Sequence, residues 1–389
     1  MRSVSVAAGR SSKELSATIY VMRLDDVVFS DYHIFRSDFR IVPYVSESLP
    51  PEPQNEKAPI MQQPAIEEPG GPRLVTVAQL TGIAEKEKDR HDGEAAKEME
   101  HMQLTERLSS PKLARLSAEL PGKKSKTALM AIGDVSVFLD PPPDEIPLKA
   151  VPDMAEQTQI MSLVMDYLKK IMPKLPDFYA KRFTTSFEEV SRLNDKNGLY
   201  KRGDLHPAGD FKVTVYYREG QEVVHPEGAA EHGLTTLGTF GPILRLVVQD
   251  AAYSNTTKWS RWEEGPSGPM AVFRFDVQQG ESHYSISGAG EYGMVGPTAY
   301  HGEIGIDPGS GTILRLVLEA DPAFGSLTER ADVMVEYGSV AIGGETYTCP
   351  VRSVTYSVNR GLKRKVARLI DVVFSDYHVF RSEMRILPD

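Results

Sequence analysis

A single cysteine, Cys349, rules out an intramolecular disulfide and any cysteine-based zinc site in this chain of 389 residues. Long apolar runs are missing too, and nothing approaches the ~18 residues that span a bilayer as a helix. Positive charge is scarce: 44 Lys and Arg against 54 Asp and Glu leave a net charge of −10. Counterion release needs clustered basic residues, so nucleic acid is not an expected partner. The first residues, Met1 to Arg10, lack the apolar core of an export signal. There is no Gly-x-Ser-x-Gly elbow, no Walker loop around Gly122-Lys123-Lys124 and no His-Glu-x-x-His pair. No catalytic residue, metal or cofactor is assigned, and the chain reads as a non-enzymatic protein. What remains is 41% hydrophobic and 25% charged, the composition of a globular protein with room for two or three folding units.

The most specific feature is internal. Residues 24–43 recur at 369–388 with fifteen of twenty positions identical, including Asp-Val-Val-Phe-Ser-Asp-Tyr-His at Asp26–His33 and Asp371–His378. Upstream of each copy stands Arg-Ser-Val, at Arg2-Ser3-Val4 and Arg352-Ser353-Val354. An offset of 345 is far beyond a solenoid period of roughly 20–50 residues, so the repeated unit is a whole module. Residues 1–43 therefore read as the orphan terminal hairpin of a preceding repeat, and self-association through them is expected. A linker at 44–73 follows, with Pro50, Pro51, Pro53, Pro59, Pro64, Pro69 and Pro72.

A small helical module is expected over 74–147. Thr76 with Gln79 fits a capping box, and Ser110-Pro111 fits an N-cap and first-turn pair. Pro121-Gly122 ends the helix of Leu113, Leu116 and Leu120, and a further helix carries Leu129, Ile132 and Val135. The polar run Glu85–Glu100 reads as a solvated helix. After Pro141-Pro142-Pro143, Asp153 and Glu156 form a second capping box. Ile160, Leu163, Val164, Tyr167, Leu168 and Ile171 then share one face of a long helix over 154–172.

Beyond it the period drops to two. Phe211, Val213, Val215 and Tyr217 alternate with polar neighbours, and further strands are expected at 243–248, 270–277, 283–287, 302–306, 312–319, 333–337, 346–358 and 371–385. Asp307-Pro308-Gly309-Ser310-Gly311 reads as a hairpin turn. Most connections are too short for crossover helices, so the strands form an antiparallel meander. Alternation puts Leu244, Leu246, Val248, Phe273, Phe275, Leu314, Leu316 and Leu318 on its apolar face. The expected class is α+β: a curved antiparallel sheet, meander-like and half-barrel-like, packed by the long helix and preceded by the helical module. The β-rich domain is expected over 154–389.

Several constellations have residue types that could carry chemistry. Gly288-Ala289-Gly290-Glu291-Tyr292-Gly293 spells a dinucleotide fingerprint, but Gly296-Pro297 stands where a helix is required, so it reads as a glycine loop. His206, His225 and His232 lack diagnostic ligand spacing and read as loop histidines. Glu263-Glu264 beside Trp259 and Trp262 is similar to a sugar site, yet a glycosidase needs two carboxylates ~5–10 Å apart, which adjacency does not supply. The tryptophans read as packing or groove-rim residues, and Cys349 as a buried, inert thiol.

Tyr300-His301-Gly302-Glu303-Ile304, Ile306-Asp307-Pro308, Ile313-Leu314-Arg315-Leu316, Val335-Glu336-Tyr337-Gly338, Cys349-Pro350-Val351-Arg352-Ser353-Val354 and Phe374-Ser375-Asp376-Tyr377 carry a resemblance. With Leu104–Ser109 and Lys174–Phe178, they resemble an uncharacterised family of bacterial secreted or envelope proteins, over roughly 74–389. More distantly, the strand, Asp-Pro turn, strand and closing Phe-Ser-Asp-Tyr strand are similar to the LolA-like lipoprotein-sorting proteins. That resemblance implies a cell-envelope or secreted location and a half-open sheet whose concavity takes a lipid or an acylated protein. Leu163, Tyr167, Leu246, Trp259, Trp262, Phe273, Phe275 and Leu316 would line it. The alternative is a repeated surface interaction module with a solid core.

Overall fold

Thr76 caps the first helix as its spacing predicts: the Gln79 N–H donates to the Thr76 hydroxyl at 3.2 Å, and the Thr76 N–H donates to the Gln79 side chain at 2.9 Å. This helix, α1 (Val77–Glu87), buries Val77, Leu80 and Ala84. The computed structural model describes residues 72–170, 175–193, 200–201, 205–218, 221–224, 242–287, 294–323, 326–361 and 363–379, all in one compact unit. The whole of the first copy of the repeat, the end of the second copy beyond residue 379, the linker before Pro72, His225, His232 and the loop 288–293 lie outside these residues.

The polar run at Glu85–Glu100 is not one solvated helix. His91 breaks it, its ring nitrogen accepting from the Gly93 N–H, and α2 (Asp92–Glu100) starts there with Ala95, Ala96 and Met99 buried. Short strands β1 (Arg73–Val75) and β2 (Met102–Leu104) pair in parallel on either side of the two helices. Then come α3 (Ser110–Glu119), with Pro111 in its first turn, and α4 (Lys123–Val135). Leu80, Met99, Leu108, Leu116 and Leu129 close the core of this helical layer.

The second predicted box is formed as well. The Glu156 N–H donates to the Asp153 carboxylate at 2.8 Å, and the Asp153 N–H to Glu156 at 3.2 Å, opening α5 (Met154–Lys170). The sheet strands are β3 (Phe178–Leu193), β4 (Tyr200–Lys201), β5 (His206–Arg218), β6 (Gln221–Val224), β7 (Lys258–Gly265), β8 (Gly268–Val277), β11 (Ala299–Ile306), β12 (Ile313–Asp321), β13 (Thr328–Ile342), β14 (Glu345–Arg360) and β15 (Arg364–Val379). They form one open, curved antiparallel sheet in the order β6-β5-β3-β15-β14-β13-β12-β11-β8-β7, with β4 paired to β3. Strands β9 (Ser285–Ser287) and β10 (Met294–Pro297) make a separate ribbon.

Three readings change. Residues 243–248 are not a strand but the start of α6 (Pro242–Ser254). Leu244, Val247, Val248 and Ala251 are its buried stripe, at helical spacing, and pack on the sheet with α5. Leu314 does not share the apolar face of Leu316 and Leu318, because a bulge opposite Gly305 and Ile306 puts Ile313 there instead. Strands β3 and β7 had no counterpart in the sequence pattern.

The sheet is thus the middle of three layers. Ile160 and Val164 of α5 and the α6 stripe meet Phe273, Phe275, Ile304, Leu316, Val333 and Val335 on one face. On the other, Ala131 of α4 and Val137 meet Phe187, Val317, Met334, Val354 and Leu369. The predicted turn before β12 presses on α5. Gly311 has φ +73°, and a Cβ there would lie 2.3 Å from the Leu163 carbonyl carbon.

Candidate functional site

Four of the eight expected lining side chains, Trp262, Phe273, Phe275 and Leu316, belong to the packed cluster between sheet and helices, and Leu246 and Trp259 pack against it. The tryptophans share a face because a bulge between Trp259 and Arg261 resets the alternation. Their rings meet edge-on at 4.9 Å, and Trp259 meets Phe273 at 5.4 Å. Leu163 lies at the Gly311 turn instead. Tyr167 is buried at the margin of that cluster, beside its Tyr337 and beside Cys349, hydrogen-bonded to Thr348, and its phenol is raised by that burial. Cys349 is buried, which pushes its thiol up to about 12.

Glu263 and Glu264 face opposite ways across β7, since neighbours on a strand alternate. Glu264 is exposed, whereas Glu263 is 2% exposed on the helical-layer face and is gripped by three arginines. Arg107, just before α3, reaches it at 2.5 Å, Arg261 at 2.6 Å and Arg315 at 3.0 Å. Glu303 binds the outer side of the lattice through both oxygens, at 2.6 and 2.7 Å from Arg261, and Arg274 links Glu303 to Asp140. Burial alone would push the Glu263 carboxyl up; Arg315, Arg107 and Arg261 outweigh it and hold it at about 2. Burial and the nearby Arg315 lower Arg107 to about 10.

A second buried group joins α4 to the sheet. Arg352 of β14 donates to Asp134 of α4, to Asp371 of β15 at 2.8 Å and to the Ser110 hydroxyl at 2.6 Å, while Ser110 donates to Glu336. Burial and the mutual repulsion of the two carboxylates raise Asp134 well above its ordinary range, and burial also raises Asp371. Sequence reasoning found none of these partners. Their chain separations run from 134 to 242 residues for the links between layers, so no local spacing signals them.

Away from the ion pairs the helical layer lifts off the sheet and leaves a cleft of about 530 Å³. Ala131, Ile132 and Val135 of α4 face Tyr356, Val358 and Ala367 across it, with Glu100, His101, Glu329, Arg330 and Lys365 at its polar margin. A third surface is the strap before α5. Ile146, Leu148, Val151 and Met154 are all exposed, Leu148 fully so. The strap is anchored at its middle, where the Trp262 indole donates to the Ala150 carbonyl at 2.8 Å and the Lys149 ammonium stands 3.6 Å from the centre of that ring.

One arrangement has the form of an oriented base. Asp250 of α6, 1% exposed, accepts from the His283 N–H at 2.9 Å, lies 2.6 Å from His283 Nδ1 and accepts from the Tyr300 hydroxyl at 2.9 Å. The carboxylate fixes the imidazole while its side chain stays 71% exposed. Among the described residues no nucleophile is hydrogen-bonded to that ring, and the same contacts anchor α6 to the sheet. No group of three metal-ligating side chains occurs among the described residues, and His206 is exposed on β5. Among them, too, no helix is long and apolar enough to cross a membrane.

No family model and no curated protein matches the chain. Among solved structures it is similar to a chain of the Pseudomonas aeruginosa MucA/MucB complex, at 9% identity and a TM-score of 0.20, over 56% of this chain and 94% of that one. A crystal structure of MucB in complex with MucA(peri) matches at 9% identity and a TM-score of 0.16, over 55% and 93%. Likenesses of this size assign neither a function nor a partner.

Proposed function

We propose that the chain is a non-enzymatic cell-envelope protein acting as a protein–protein interaction module with a solid core, and that the strap at 146–154 is its contact surface. The exposed Ile146, Leu148, Val151 and Met154 carry this reading, since contiguous exposed apolar side chains on an anchored segment mark sites where another macromolecule docks. Two observations support it. The side chains beneath α5 and α6 pack against the sheet as one buried cluster. The carboxylates with the most perturbed surroundings, Glu263 and Asp134, are committed to arginines that hold the layers together. The envelope location rests on the sequence resemblance.

The competing reading is a carrier of a lipid or acylated protein in the sheet concavity, and one experiment separates the two. A photo-crosslinking residue at Leu148 should give protein adducts in cells, lost in Val151→Asp/Met154→Asp, while the same residue at Glu264 gives none. Organic extraction of the purified chain should yield no stoichiometric lipid. Lipid adducts at Leu148, or one extracted acyl lipid per chain, would return the carrier reading.

A further inference from the structure

Among the described residues the helical layer covers only part of the sheet face it packs on. Towards β5 it reaches the row of Asp210, Thr185 and Asp371, where Lys123 of α4 pairs with Asp210 at 3.4 Å and Arg352 bridges Asp371 to Asp134 of α4. In the next row of the same face Phe183 and Val373 stand opposite each other, both 43% exposed, and the Lys212 ammonium lies 4.3 Å from the centre of the Phe183 ring. Lys181 and Thr214 follow one row on, the ammonium donating to the hydroxyl at 2.6 Å. An antiparallel sheet face that meets water is ordinarily polar. Here an apolar pair is set between two lysines, with the Lys123 ammonium, 86% exposed, at the edge of the helical layer.

The strap has the matching character. Ile146, Leu148, Val151 and Met154 are exposed, and the carboxylates of Asp153 and Glu156 stand exposed beside the last two. Its one lysine, Lys149, is laid on the Trp262 ring. The strap is therefore apolar with an acidic margin, and the open sheet face is apolar with a basic margin.

One chain cannot bring its own two surfaces together. The strap is pinned through Ala150 to Trp262 of β7, whose ring packs on the α5 and α6 side, while Phe183 belongs to β3 and faces the other way. Seven strand spacings, roughly 34 Å along the sheet, separate β3 from β7.

We propose that the strap of one chain docks on the open sheet face at Phe183 and Val373 of a second copy of this chain. This names the partner of the contact surface proposed above and rests on that reading. The two surfaces differ, so the contact is head-to-tail: each molecule keeps a free strap at one end and a free sheet face at the other, and copies link in series.

Sedimentation of the full-length chain over about a hundredfold range of concentration should show the mean mass rising above that of one chain, and rising less at high salt. Leu148→Asp and Phe183→Asp, both at exposed positions, should each weaken this association about tenfold or more, with circular dichroism unchanged. An equal mixture of the two variants should form one-to-one dimers that grow no further, because the first keeps its sheet face and the second its strap. Lys212→Glu, which leaves the apolar pair intact, should behave as Phe183→Asp does and replaces it if that variant misfolds. Association that survives both substitutions, or a mixture that stays monomeric where the native chain associates, would overturn the proposal. A native chain that stays monomeric while Leu148 still crosslinks to other proteins in cells would overturn the second copy as partner and leave the contact strap standing. Loss of those crosslinks as well would sink the strap reading itself.

Discussion

Substituting Glu263→Gln keeps the side-chain shape and removes the carboxylate that Arg107, Arg261 and Arg315 share. Its cost follows from two routes. A carboxyl held at about 2 in the folded chain, against 4.5 in its ordinary state, corresponds to about 3 kcal/mol of stabilisation near neutral pH. Removing one member of a buried ion pair leaves its partners buried and unmatched, which costs roughly 3–5 kcal/mol. The expected loss is therefore about 3–5 kcal/mol, a large part of the ~5–15 kcal/mol that holds a typical domain. Urea unfolding followed by tryptophan fluorescence measures it, since Trp259 and Trp262 lie on the same strand as Glu263. Arg107→Met added to Glu263→Gln should recover part of the loss, because one unmatched cation is gone. The sign with pH is fixed too: the folded carboxyl is depressed, so its contribution is present above about 4.5 and lost as pH falls toward about 2. Glu263→Gln should flatten that acid limb. A loss under about 1 kcal/mol at neutral pH would refute the claim that this lattice holds the layers.

Asp134 has the opposite sign. Its folded carboxyl is raised, so its contribution is full below the ordinary Asp value and lost as pH rises through the folded value. Asp134→Asn, which mimics the protonated acid, should gain stability relative to the native chain as pH rises above the ordinary Asp value of about 4; a difference in urea midpoint that stays constant with rising pH would contradict this. Gly311→Val should cost about 3 kcal/mol or more, since it combines a disfavoured φ with a clash against the α5 backbone; an unchanged melting temperature would show that the turn can retreat from the helix. Trp262→Ala should destabilise by about 3–5 kcal/mol as a buried aromatic, and the half-buried Trp259→Ala by less, measured by the same urea titration; the reverse order would contradict their packing.

Local signals were legible where the interaction is local. The boxes at Thr76–Gln79 and Asp153–Glu156 and the turn at Asp307–Gly311 span a few residues each, and each has the expected hydrogen bonds. The strand β3 was not legible because its buried side passes from one face to the other along its length and carries polar side chains: Arg182 and Thr184 are buried on one face, Glu189 and Ser191 on the other. Apolar alternation therefore never appears. For 243–248 the five branched apolar side chains around Arg245 imitate a strand, and only a window reaching Ala251 exposes the helical stripe. In the site, six of the eight expected lining residues belong to or pack against the core between sheet and helices. The arginine lattice, the cleft and the strap were missed, since two depend on contacts between distant segments and the third on exposure.

The pairing of β3 with β15 ties the first long strand of the sheet to the last, with Phe178 opposite Val379 about 200 residues further on. A ribosome releasing this chain from its N-terminal end must therefore leave one edge of β3 open until almost the whole of the protein has emerged. Strands β5 and β6 can zip onto its other side early, but the central join of the sheet forms last. Closing so long a loop makes this step slow relative to the neighbouring hairpins, and in that interval the unfilled edge of β3 is the point where the nascent chain is open to wrong pairing.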